Sequence, residues 1–158
     1  MRRAAAVLST AAMVVWAVSV MAQGKPDFTG KWAPDADKNT APAGGGGGGR
    51  GGPMGFELKQ DATGLTRITQ GQNGPVSTTY KLDGSEQTVT MGQGSAKVTA
   101  KWDGSTIVIT TTRDNNGTPV TSTAVYSMEG SDLVIATTAP PRGGGDPTTR
   151  KVYYKKGM

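Results

Sequence analysis

From Phe56 to Lys156 the chain alternates. Thr, Val, Ile and Tyr recur at every second position in short runs, and the runs are broken by Gly, Asn, Asp and Pro. A period of two belongs to strands with one face toward a core and the other toward water. It predicts strands at 56–60, 65–70, 76–82, 86–91, 95–102, 105–113, 119–128, 132–138 and 148–156, with a shorter one at 30–33. Three connections share a pattern: Leu82-Asp83-Gly84-Ser85, Trp102-Asp103-Gly104-Ser105 and Met128-Glu129-Gly130-Ser131. Asp-Gly is a preferred two-residue hairpin turn, because both central positions take positive φ. Strands joined in series this way make an all-β, antiparallel up-and-down meander, and its length suits a closed β-barrel of about eight to ten strands.

Taking Asp-Gly as the turn fixes a register. Tyr80 then faces Gln87, Thr78 faces Val89 and Val76 faces Met91, while Lys81 meets Glu86 on the other face. In the second copy Trp102, Ala100 and Val98 share a face with Ile107 and Ile109. In the third, Met128, Tyr126 and Ala124 share one with Leu133 and Ile135, and Val125 and Val134 interrupt the polar outer face. The inner face also carries Gln87, Thr111, Ser122 and Thr137. That is more polarity than a filled core favours, and a partly wet cavity accommodates it. The tight turns close one end, where Trp32 and Trp102 would act as aromatic plugs. The connections at 71–75, 92–94, 114–118 and 139–146 read as looser and gather at an open mouth.

Outside this body three segments differ in kind. Arg2-Arg3, the apolar run Ala4 to Val20 and the Val20-Met21-Ala22 ending have the layout of a secretory signal peptide over 1–22, cut after Ala22. Residues 23–33 are a lead containing the first strand. Residues 34–55 are a glycine-rich linker, with Gly44 to Gly49 unable to nucleate a helix or fill a core. With 56–158 as barrel body, 23–158 reads as one domain, exported to a periplasm or the exterior, with no stable membrane span left after cleavage.

Composition narrows the chemistry. The chain has no His and no Cys. A standard serine triad, a cysteine nucleophile, most zinc sites and any disulfide are therefore unavailable. No catalytic residue, metal or cofactor is indicated. The net charge of +5 falls further without Arg2 and Arg3, and scattered single lysines do not make a nucleic-acid surface. Asp35 and Asp37 look like the start of a calcium loop, but the remaining ligands are missing.

Phe28-Thr29-Gly30-Lys31-Trp32 resembles the F-x-G-x-W motif of the calycin superfamily, which includes lipocalins and fatty-acid-binding proteins. Lys101-Trp102-Asp103-Gly104 is similar to a late hairpin of the fatty-acid-binding branch. Thr149-Arg150-Lys151-Val152-Tyr153 is similar to its last strand, where a basic residue and a tyrosine grip a carboxylate. The chain also resembles small exported bacterial lipocalin-like proteins. One departure is plain: the glycine linker stands where that branch carries a helical lid. The resemblance implies Lys151 and Tyr153 inward, whereas alternation prefers Arg150, Val152 and Tyr154 inward.

The expected function is non-covalent binding of a small, mainly apolar molecule. Tyr80, Val98, Ile109, Tyr126 and Ile135 would line the cavity, with Arg113 at the mouth and Arg150 and Tyr154 on the last strand. The alternative is a filled barrel serving as a non-enzymatic envelope or protein-interaction module, such as an inhibitor of a secreted protease. Ligand identity and oligomeric state are not encoded in any visible motif.

Overall fold

The computed structural model describes residues 24–39, 53–91, 94–141 and 145–157. The segment 1–22 read as a signal peptide and residues 40–52 of the expected linker lie outside them. Ten strands form: β1 (Gly30–Pro34), β2 (Phe56–Gln60), β3 (Gly64–Gly71), β4 (Gly74–Lys81), β5 (Asp83–Met91), β6 (Gly94–Asp103), β7 (Thr106–Asn115), β8 (Thr118–Glu129), β9 (Asp132–Ala139) and β10 (Thr148–Lys156). They make one antiparallel sheet in the order β4-β3-β2-β1-β10-β9-β8-β7-β6-β5. The short β1 bridges β2 and β10 and bends the sheet into a nearly closed barrel.

Two of the three repeated turns sit one residue later than the Asp-Gly reading puts them. Asp103 pairs with Thr106 and Glu129 with Asp132, so Gly104-Ser105 and Gly130-Ser131 are the turn residues. Gly104 (φ 59°) and Gly130 (φ 65°) supply positive φ at the first central position, as a type II′ hairpin requires. Both flanking strands shift together, so the faces survive: Trp102 opposes Ile107, and Tyr126 opposes Ile135.

The first copy is not a hairpin ladder. β4 pairs with β3 along its whole length and β5 pairs with β6, and no ladder joins β4 to β5. The expected Tyr80–Gln87 and Lys81–Glu86 pairing is therefore corrected; Glu86 instead meets Lys97 at 3.1 Å. The cause is local. The Asp83 carboxylate accepts the Ser85 N–H (2.8 Å) and hydroxyl (2.6 Å), the Leu82 N–H donates to the Thr63 carbonyl (3.0 Å), and a bulge follows between Asp83 and Glu86. The chain turns a corner there rather than folding back on itself. The seam is closed by a side chain: Gln87 Nε2 donates to the Thr79 carbonyl (2.8 Å) and its Oε1 accepts the Lys81 N–H (3.3 Å). A primary amide thus stands where a neighbouring peptide group would.

The same device recurs. Asn39 donates to the Tyr153 carbonyl (2.7 Å) and accepts its N–H (2.8 Å), continuing the β10 edge past the end of β1. It pins a strap, residues 35–39, that belongs to the segment read as linker. Lys38 of the strap bonds Asp132 and lies 5.8 Å from the Tyr153 ring. Tyr153 opposes Val134, which is 1% exposed although it points outward. The strap crossing this region accounts for Val134, one of the two apolar interruptions of that outer face.

The ends differ less in turn length than expected: the mouth connection between Ala139 and Thr148 is long, but others there are tight. Asn116 (φ 54°) and Gly117 (φ 83°) form a two-residue turn between Asn115 and Thr118, as tight as any at the base. They differ in filling. At the base Phe28 is fully buried and stacks on Trp102 with centroids 5.9 Å apart, and the Trp32 indole N–H donates to the Phe28 carbonyl (2.9 Å). Gln60 holds this lead in place, accepting the Phe28 N–H (3.1 Å) and donating to the Pro26 carbonyl (3.2 Å). Trp32 and Trp102 are plugs as expected, and Phe28 is a third. Leu58, Leu65, Ile107 and Leu133 complete a floor that is fully buried.

Candidate ligand-binding lumen

Alternation sends Leu65, Arg67 and Thr69 of β3 inward, opposite Tyr80, Thr78 and Val76 of β4. Arg67 is the residue that sequence reading missed. Its strand was visible, but no repeated turn marks the β2–β3 register, and Ile68 argues for the opposite phase. Its guanidinium lies 4.2 Å over the Phe56 ring, and Nη1 donates to the Tyr126 hydroxyl at a long 3.4 Å. Its Nε is buried with no partner among the described residues. Such a donor costs free energy until something accepts from it.

Three phenols surround this charge. Tyr126 (2% exposed), Tyr80 and Tyr154 (both 5%) close over the floor. Burial pushes all three hydroxyls up from the usual tyrosine value, Tyr80 to about 12, while the Arg67 charge pulls in the opposite direction on each. Burial wins, so the phenols stay neutral and keep a proton to donate.

The sequence-predicted residues divide into two groups. Val98, Ile109 and Ile135 are in the buried floor, 1–6% exposed, in contact with the rest of the core. They support the site from below and do not line open space. Tyr80, Tyr126 and Tyr154 mark the boundary between floor and lumen. Arg113 lies at the mouth end of β7, where Nη2 reaches the Met91 sulfur across the inner face (2.8 Å). On β10 the structure follows the alternation phase: Tyr154 is buried and Val152 half-buried, whereas Lys151 is exposed and Tyr153 lies outside against the strap. Arg150 falls inward by the same register, opposite Thr137, and its charge acts on Tyr154.

Above the floor the inner wall is open. Val76 is 46% exposed, and Val89, Met91, Val120, Ala124 and Val152 are only half-buried. Two clefts lie elsewhere, outside the inner face. One, of about 280 Å³, runs outside β1 and β2 past Ile68 and Gln70. The other, of about 530 Å³, lies by the strap between Asp35, Asp37, Asp132 and three lysines. In it Lys155 bonds Asp35 (3.0 Å) and Asp37 (3.1 Å), so the carboxylates are already neutralised by ammonium groups. Among the described residues no group of His, Cys, Asp or Glu could hold a metal ion.

No carboxylate offsets the inward arginines. All twelve acidic residues of the chain are described. Asp27, Asp35, Asp61, Asp83 and Asp114 accept backbone N–H groups in turns. Glu57 and Glu86 point outward next to inward neighbours, and Asp103, Glu129 and Asp132 sit at base turns. Asp37 is in the strap and Asp146 in the loop before β10. Among the described residues every ion pair is made by a lysine.

Comparison with solved structures fits this geometry. A secretory abundant heat soluble protein of Ramazzottius varieornatus superposes with TM-score 0.57 at 15% identity, covering 82% of this chain and 95% of that one. The fold is that of the calycin barrels. A second protein of that group, secretory abundant heat soluble protein 4 from the same organism, gives TM-score 0.55 at 19% identity over 85% and 97%. A REP1-NXSQ fatty acid transporter gives 0.50 at 17% identity over 66% and 70%. No protein-family profile matches the sequence, and no curated protein matches it. The calycin fold expected from the Phe28 to Trp32 motif is thus present.

Proposed function

We propose that this calycin barrel is an exported, non-enzymatic carrier that binds a small, mainly apolar ligand non-covalently in the lumen above its floor. The observation that carries the reading is the open upper wall. Val76 is exposed, and Val89, Met91, Val120, Ala124 and Val152 face inward only half-buried; an incompletely covered apolar lining is what a hydrophobic ligand would complete. Arg67, with the neutral phenols of Tyr80, Tyr126 and Tyr154, would orient the polar end. The neighbour described as a fatty acid transporter agrees with this choice of ligand. Export rests on the 1–22 segment, and among the described residues no helix is long and apolar enough to cross a membrane.

One observation favours the second reading, a barrel acting through its outer surface: both described clefts lie outside the lumen. Displacement of a hydrophobic dye separates the two. Under the carrier reading, dye fluorescence rises on mixing and falls when a long-chain acid is added, and Val76→Trp, which fills the upper lumen, abolishes both responses. Under the surface reading the dye does not respond and V76W behaves as the parent.

A further inference from the structure

Resting on the carrier reading, we infer that the natural ligand is an elongated apolar molecule with an oxyanion at each end, rather than one with a single acidic head. The observation is the distribution of charge on the inner face. Arg67 lies deep, against Phe56 and the Tyr126 hydroxyl. Arg113 and Arg150 lie nearer the mouth on other strands. No acidic residue faces any of the three, and the chain has no undescribed acidic side chain to supply one. A lumen with three guanidinium groups and no carboxylate concentrates anions. A single acidic head at Arg67 would leave the two mouth arginines unmatched.

The spacing suits a long body between two ends. Tyr126 marks the level of Arg67 on β8, and Arg113 opposes Val120 on the same strand. Six residues of strand separate those backbone levels, roughly 20 Å along the strand at 3.3 Å per residue, and the Arg113 side chain reaches down from there, near enough for its charge to act on the Tyr80 phenol as Arg67 does. Arg150 is closer: it lies two residues from Val152, which opposes Ile135, and Ile135 opposes Tyr126. That step is roughly 7 Å. Between the levels the wall is aliphatic (Val89, Val120, Ala124, Val152) with Thr78, Thr111 and Ser122 interspersed. Planar, forked guanidinium groups match carboxylate or phosphate oxygens in two-point contact.

The test is calorimetric titration of the full mature chain with hexadecanol, hexadecanoate, hexadecanedioate and hexadecyl phosphate. The last carries its charge at one end only. Hexadecanedioate is expected to bind about 10-fold or more tighter than hexadecanoate, in line with one added charge-assisted contact, and hexadecyl phosphate no tighter than hexadecanoate. The mouth double variant Arg113→Gln/Arg150→Gln, at exposed positions, is expected to weaken hexadecanedioate by about 10-fold or more relative to hexadecanoate, so that the two acids then bind alike. Arg67→Met is expected to weaken both acids. Should R67M fail to fold, the double variant decides alone. Equal affinity for the two acids, or hexadecyl phosphate matching the diacid, overturns the two-ended ligand while leaving the carrier intact. Binding of hexadecanol alone overturns the anionic ligand altogether. Failure of all four to bind overturns the inference together with the carrier reading.

Discussion

The base of the barrel and the lumen above it are made from the same strands with the same alternation, and they are finished in opposite ways. At the base the inward positions are apolar or aromatic apart from Gln60, Phe28, Trp32 and Trp102 close the end, and Gln60 satisfies the backbone of the lead. Above Tyr80 and Tyr126 the inward positions hold Thr, Ser and three arginines without counter-ions. The comparison teaches where the molecule keeps its stability and where it gives it up. Apolar burial at the floor stabilises the fold, and the unpaired guanidinium beside it opposes that, as a binding site does before its ligand arrives.

The largest way to break the contrast is to charge the floor. Ile109→Asp places a carboxylate in a position 4% exposed and should cost about 3–5 kcal/mol or prevent folding. Thr110→Asp, one residue away on the outer face, should cost about 1 kcal/mol or less. Urea melts of the pair check the face assignment, and similar losses would refute it. Substituting in the lumen should do the reverse. Arg67→Leu removes an unpaired charge, so stability should stay level or rise by about 1 kcal/mol, while binding of an acidic ligand falls. A large destabilisation would mean that Arg67 is structural.

The amide clasps give a smaller effect. Asn39 holds Tyr153 with bonds of 2.7 and 2.8 Å, whereas Gln87 spans the β4–β5 seam with 2.8 and 3.3 Å. Asn39→Ala should cost about 1–2 kcal/mol and Gln87→Ala about 1 kcal/mol or less. Hydrogen exchange should speed up at Tyr153 in the first and at Lys81 in the second. The smallest effect concerns pH. At Asp35, burial raises the carboxyl pKa, but the bonds from Lys155 and the Asp37 and Lys38 N–H groups outweigh it and leave it below its ordinary 3.8. A folded value below the unfolded one adds stability that is present above about pH 4 and lost as pH falls through the folded value. Asp35→Asn should therefore flatten the acid limb of the plot of Tm against pH and leave the lumen's ligand affinity unaltered.

Much of this was legible in the sequence because strand alternation is local. The strand boundaries, the inward sets around Trp102 and Tyr126, and the inward Arg150 and Tyr154 all follow from a period of two. What was not legible is non-local. Asp83-Gly84 has the same sequence form as Asp103-Gly104, yet the strands it joins pair elsewhere, because Leu82 is bonded to Thr63 and β5 runs onto β6. Val98, Ile109 and Ile135 were correctly placed inward, but which inward residues are covered depends on where the plug ends. Arg67 was hidden by Ile68, which blurs the alternation of β3 and lies outside on a cleft.

The central claim is that the lumen holds an apolar, acidic molecule. Native mass spectrometry of the protein purified from its own host tests it most directly. The account predicts a reproducible non-covalent adduct that is lost on collisional heating, carries acidic groups when released, and is absent from Arg67→Leu. Repeated preparations with no adduct, together with no uptake of added long-chain acids, would contradict it.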